Sequence, residues 1–118
     1  MGRENDCERV DVEYINSLVS GLPDEAAILR LSRIFHALRS EPRLKIMYLL
    51  LEKEMCVCEL EAALGMSQSS ISHNLRTLRQ LDLVRAIKNG RFVTYSLADD
   101  HVRLLLELSR KHVTGCAQ

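Results

Sequence analysis

The stretch that most limits the fold is "CELEAALGMSQSSISHNLRTLRQL", residues 58–81. Leu60, Ala63 and Leu64 recur at helical spacing, and Gly65 follows at the position where helices often end in left-handed backbone. Ser67 then offers a hydroxyl to cap a second helix. In that helix Ile71, Leu75, Leu78 and Leu81 are spaced 4, 3 and 3 apart and share one inward face. The opposite face carries Gln68, Ser69, Ser72, His73 and Arg76. A short helix, a tight turn through glycine and a longer helix with a polar outer face predict a helix-turn-helix.

The flanks complete the unit. Val12 to Val19 reads as a short helix ended by "SGLPD", and Asp24 is placed to cap the next one. There Ile28, Leu31, Ile34, Phe35 and Leu38 repeat at helical spacing until "SEP" interrupts them. Pro42 suits the first turn of a following helix, with Ser40 or Glu41 as its cap. Leu44 to Leu51 is apolar on nearly every face, which predicts a central, buried helix. Beyond the helix-turn-helix, "LVRAIKNGRFVTYSL" alternates around Asn89-Gly90, a strong hairpin signal. A last helix from about Asp99 to Val113 carries Val102, Leu104, Leu105, Leu106 and Leu108 as a wide apolar surface. The expected fold is mostly α with a small β-hairpin: a winged helix-turn-helix. Residues 1–22 form a flexible arm with a short helix, and residues 23–118 the winged domain with a C-terminal dimerisation helix. A chain of 118 residues buries only a small core, so pairing into a dimer would help it.

The longest apolar run, Ile46 to Leu51, is too short to span a bilayer, and the polar, acidic start is unlike a signal peptide. A cytoplasmic, membrane-free protein with reduced thiols is expected. No nucleophile–base constellation or phosphate-cradling loop suggests an enzyme. The net charge of zero hides an uneven distribution. Residues 1–25 are dominated by acids, whereas residues 67–91 set Arg76, Arg79, Arg85, Lys88 and Arg91 against Asp82 alone. That basic segment predicts double-stranded DNA as partner. Gln68 suits adenine, and Ser67, Ser69, Ser70, Ser72 and His73 suit phosphates or bases. Arg76 suits a phosphate or a guanine, and Lys88 and Arg91 flank the wing turn, where they can grip the neighbouring backbone.

"CVCELEAALGMSQSSISHNLRTLRQLDLVRAIKNGRFVTYSL", residues 56–97, resembles the signature of the ArsR/SmtB metal-responsive repressors, a likeness extending over about residues 30–113. The resemblance implies a dimeric winged helix whose apo form holds operator DNA and is released by metal or metalloid. It also implies two recurrent inducer sites. One is a cysteine site before the recognition helix, and the other lies between the C-terminal helices of the dimer.

Cys56 and Cys58 match the first site. In a regular helix they would point about 200° apart, so they share an ion only if Cys56 precedes the helix or lies in its distorted first turn. Thiolates there gain from the positive end of the helix dipole. Soft sulfur selects Cd(II), Pb(II), Zn(II), As(III) or Sb(III). Arsenic-responsive members carry a third cysteine where this chain has Glu61. Cadmium- and lead-responsive relatives draw extra thiolates from the N-terminal arm, which here contains Cys7.

His101 and His112 lie on one helical face but about 16 Å apart along the axis. Only an antiparallel second copy can bring one beside the other, and Asp99 can add a carboxylate next to His101. This spacing matches the family's interhelical zinc site. Gly115 stands where the family has a fourth ligand, and Cys116, four residues after His112, can substitute to complete a tetrahedral set. Two other readings stay open: a thiol redox or persulfide sensor of the same fold, and a ligand-independent DNA-binding or interaction module.

Overall fold

The structure, a computed structural model, describes residues 8–115; Cys7 and Cys116 lie outside the described residues. The elements run α1 (Val12–Ser20), α2 (Glu25–Leu38), α3 (Glu41–Glu52), α4 (Val57–Leu64), α5 (Gln68–Gln80), β1 (Val84–Asn89), β2 (Phe92–Leu97) and α6 (Asp100–Thr114). The described residues up to Ser32 belong to one compact unit and those from Arg33 onward to a second.

In the first unit Asp11 caps α1 by accepting from the Tyr14 N–H at 3.1 Å, and Gly21 closes its far end. Asp24 caps α2 through the Ala27 N–H at 2.8 Å. None of α1 is buried, and Val12, Ile15, Leu18 and Val19 all face outward.

The second unit is organised around α3. The Ser40 Oγ accepts from the Arg43 N–H at 3.3 Å, and Pro42 sits in the first turn, where its missing N–H costs nothing. Ile46, Met47, Leu50 and Leu51 are buried, as the run of apolar residues around this helix predicts. Leu60 of α4, Ile71, Leu75 and Leu78 of α5, Leu83, Val84 and Leu97 of the hairpin, and Val102 and Leu106 of α6 close on them. Each fully buried Leu or Ile side chain contributes roughly 1.5–3 kcal/mol relative to exposure, so this one cluster dominates the fold's stability.

Local signals set the turn of the helix-turn-helix. Gly65 ends α4 with φ 66°, a left-handed backbone that a Cβ would disfavour, and its N–H bonds Glu61 O at 2.8 Å. The Ser67 Oγ then accepts from the Ser70 N–H at 3.1 Å and starts α5. At the end of α5 the Leu83 N–H bonds Leu78 O and the Asp82 N–H bonds Arg79 O, both at 3.0 Å, with Asp82 at φ 59°. This Schellman arrangement aims the chain into β1. Leu81, expected inward, is only half-buried because it is already the cap, past the last turn of the helix.

β1 and β2 pair antiparallel from Val84↔Leu97 to Asn89↔Phe92. The turn is therefore Gly90-Arg91, one residue beyond the Asn-Gly signal. Gly90 takes φ 62° while Arg91 does not go positive, the type II′ pattern. Met55 adds a short bridge to the far side of β2 at Tyr95. Asp99 caps α6 through the Val102 N–H at 3.0 Å. The wide apolar surface of α6 divides: Val102 and Leu106 enter the core, and Leu104, Leu108 and Val113 stay exposed. Among the described residues no helix is long and apolar enough to cross a membrane.

Candidate DNA interface and inducer sites

α5 presents the side chains the sequence assigned to DNA. Gln68, Ser69, His73 and Arg76 are exposed, and Ser70 and Ser72 half-buried. Ser67 is exposed, with its oxygen already engaged as the cap. Lys88, opposite Val93, and Arg91, in the turn, are exposed at the tip of the wing.

The sequence reading missed what holds α5 from behind. Asn74 is the one buried polar residue among those described. Its Nδ2 donates to Ser70 O at 3.0 Å, and its Oδ1 accepts from Arg43 Nη1 at 3.1 Å. Arg43 Nε also donates to Ala37 O at 3.0 Å, so one guanidinium ties α2, α3 and α5 together. The signal was available: at 100° per residue Asn74 falls on the Ile71–Leu75 side of the helix, where a polar residue needs a partner.

Cys56 and Cys58 are both free thiols, the first half-buried and the second exposed. Cys56 is the N-cap of α4 with extended backbone, φ −90° and ψ 171°, and Cys58 lies in the first turn. The two are thus not successive positions of one regular helix, the condition the sequence set for sharing an ion. Glu59 braces this end by accepting from the Cys56 N–H at 3.0 Å. Its other oxygen is 3.8 Å from Lys53 Nζ. The Cys56 N–H foremost, together with the Lys53 charge and the Cys56 thiol, holds the Glu59 carboxyl below its ordinary 4.5, against a smaller pull from desolvation.

One residue before Cys56, Met55 exchanges two backbone hydrogen bonds with Tyr95 of β2. Next to it, Thr94 Oγ1 donates to Glu54 Oε1 at 3.3 Å. The cysteine pair is thereby attached directly to the wing.

On α6, His101 Nδ1 lies 3.8 Å from Asp99 Oδ1, and both side chains are exposed. His112 is exposed in the last turn. Behind this helix Tyr48 donates to Leu106 O at 2.8 Å, Arg103 Nη1 to Leu51 O at 3.0 Å, and the Arg110 guanidinium sits 5.6 Å from the Tyr48 ring centre. Among the described residues of one protomer, no three His, Cys, Asp or Glu side chains gather closely enough to hold an ion. The donor types still fit: two sulfurs for a soft ion, and a carboxylate with imidazoles for zinc. Each set needs ligands from elsewhere to be complete.

A helix-turn-helix with an exposed polar recognition helix and a basic hairpin tip is the winged helix-turn-helix of DNA-binding transcription regulators, which are not enzymes. Residues 40–86 match the sequence model described as "Bacterial regulatory protein, arsR family". The chain is 43% identical over 84 residues to a transcriptional repressor SmtB homologue of Synechocystis, a match covering 71% of this chain and 64% of that protein. It is 40% identical over 82 residues to a cadmium resistance transcriptional regulatory protein CadC homologue of Staphylococcus aureus, covering 69% and 68%. Its fold overlays the homodimeric winged helix-turn-helix DNA-binding domain of a Mycobacterium bovis protein with a TM-score of 0.68 at 31% identity, covering 79% and 92%. The chain belongs to the ArsR family.

Proposed function

We propose that this protein is a cytoplasmic, metal- or metalloid-responsive repressor whose apo dimer holds operator DNA and releases it when a soft ion binds. The placement of Cys56 as the cap of α4, one residue from the Met55–Tyr95 bridge to the wing, carries the reading. Cadmium is named for the staphylococcal relative, and soft sulfur donors suit Cd(II), Pb(II), Zn(II) or As(III) alike. Two thiolates leave the ion under-ligated. Cys7 on the arm formed by residues 1–22 would supply the third, from the same chain or the partner.

α5 would enter the major groove, with Gln68, Ser69, Ser72, His73 and Arg76 toward the bases and phosphates, and Lys88 and Arg91 on the adjoining backbone. The exposed Leu104, Leu108 and Val113 of α6 suit burial against a second copy of the same helix. That pairing would also set Asp99 and His101 of one copy near His112 of the other, a zinc site that Cys116 can complete.

Binding at either site needs only about 1–3 kcal/mol of coupling to weaken DNA affinity roughly 5–150-fold. The test is to titrate reduced dimer with Cd(II), following the ultraviolet thiolate-to-metal band and release of a fluorescent operator duplex together. A band that saturates while the duplex stays bound rejects the repressor reading.

A further inference from the structure

A second charged cluster lies where α2 gives way to α3 and is joined to α5 by the Arg43–Asn74 hydrogen bond. His36 and Arg39 at the end of α2, with Ser40 and Arg43 at the start of α3, line an open depression of about 300 Å³. His36 and Arg39 are exposed and Arg43 half-buried. Among the described residues the ion pairs are Lys53–Glu59 and Asp99–His101, so neither arginine here has a carboxylate within 4 Å. The nearest acid in the chain, Glu41, leaves the cluster net positive. Arg43 is fixed in place by Ala37 O and Asn74 Oδ1. Those contacts use Nε and Nη1, and among the described residues Nη2 donates to no protein atom.

Arg43 both lines the depression and bonds Asn74, which sets the depression next to one flank of α5. Taking Ile71 as the centre of the buried face, Ser70, Asn74 and Thr77 fall on one flank, between that face and the outward residues Ser69, His73 and Arg76. A helix lying in a major groove about 12 Å wide has a phosphate strand along each side. With α5 in such a groove, the strand on the Asn74 flank would be the one on the Arg43 side.

We infer that His36, Arg39 and Arg43 form a phosphodiester-binding site for the operator backbone, a contact separate from the recognition helix and the wing. This rests on the DNA-binding reading above. Arg39 meets the phosphate as a mobile charge, and Arg43 meets it as a guanidinium already oriented by α5. The cluster fixes how deeply and at what angle α5 enters the groove and carries no base specificity of its own.

The test uses the full-length apo dimer and a duplex of about 30 base pairs that the wild-type protein selects from a random library, with a scrambled duplex beside it. Affinity is measured by fluorescence anisotropy across a salt series for wild type, Arg39→Ala, Arg39→Glu, Arg91→Ala at the wing, and Lys45→Ala at an exposed position about 200° round α3 from Arg43. Arg39 is exposed, so its variants keep the wild-type melting temperature. Arg39→Ala lowers the slope of log affinity against log salt by about 0.9 and weakens both duplexes by the same factor, roughly tenfold or less at 0.15 M salt. Arg39→Glu weakens them further, and Lys45→Ala changes neither quantity.

Wild-type slope and affinity in both Arg39 variants, with a reduced slope in Arg91→Ala, overturn this site and leave the DNA-binding reading standing. No duplex binding by the wild type overturns both. Saturable binding of inorganic phosphate at the cluster, with DNA slopes unchanged in the Arg39 variants, also overturns the assignment to backbone phosphate.

Discussion

Met55 and Tyr95 exchange two backbone hydrogen bonds, Met55 N–H to Tyr95 O at 3.2 Å and Tyr95 N–H to Met55 O at 2.8 Å. The chain entering the cysteine pair is therefore a third, one-residue strand of the wing. Cys58 lies in the first turn of α4, whereas Cys56 is its cap with extended backbone, one residue after the bridge. Moving Cys56 drags Met55 with it. Cd(II) is expected to quicken hydrogen exchange at the Tyr95 amide, and the Cys56→Ser/Cys58→Ser double variant to abolish the effect while keeping apo DNA binding. Unchanged exchange at Tyr95 with Cd(II) fully bound would show that the bridge is not the route to the wing.

This bridge is the kind of feature that one sequence does not reveal. Gly65, Ser67, Asp99 and Pro42 announce themselves because their effect is local: a left-handed cap, two side-chain caps and a helix start. The winged helix follows from these and from the apolar spacing of α5. A backbone-to-backbone pairing across forty residues leaves no mark on side-chain type. Arg43–Asn74 and Tyr48–Leu106 are likewise pairs of distant positions whose partners only packing selects. For α6 the apolar positions were legible but their division was not. Leucine at 104, 106 and 108 looks alike in sequence, yet only Leu106 meets α3 and the hairpin.

Asn74 makes its own test. Arg43→Ala leaves the buried Oδ1 of Asn74 without its donor, at a cost of about 1–3 kcal/mol. Asn74→Leu removes the unsatisfied atom, so adding it to Arg43→Ala is expected to restore much of the loss in a double-variant cycle. Chemical denaturation of the four proteins measures this. Additive losses would mean that the hydrogen bond does not couple α3 to α5.

Glu59 gives the α4 start a pH dependence. Its carboxyl lies below the ordinary value of 4.5 in the folded protein, chiefly because it accepts from the Cys56 N–H. A carboxylate depressed on folding stabilises the fold above its unfolded value, and that contribution is lost as pH falls through the folded value. The melting temperature of wild type should therefore drop more steeply below about pH 4.5 than that of Glu59→Gln, and the two curves should converge in acid. Parallel curves from pH 6 to pH 3 would show that the brace is open in solution.

Asp99 caps α6 through the Val102 N–H and stands 3.8 Å from His101. In the function proposed above it would also join a zinc ion held with His112 of a second copy, and substitution can separate the two roles. Asp99→Asn keeps a capping oxygen, so it should hold wild-type stability while weakening zinc. Asp99→Ala loses the cap as well, at about 0.5–2 kcal/mol. His101→Ala should abolish zinc at this site with stability unchanged, because its side chain is 95% exposed. Mixing His101→Ala with His112→Ala chains supplies the decisive arm. Antiparallel helices place both lost imidazoles at one of the two symmetric sites and leave the other intact, so the heterodimer should regain one zinc per dimer. Zinc bound at full stoichiometry by His101→Ala homodimers, or no recovery in the heterodimer, would make α6 a dimerisation helix and nothing more.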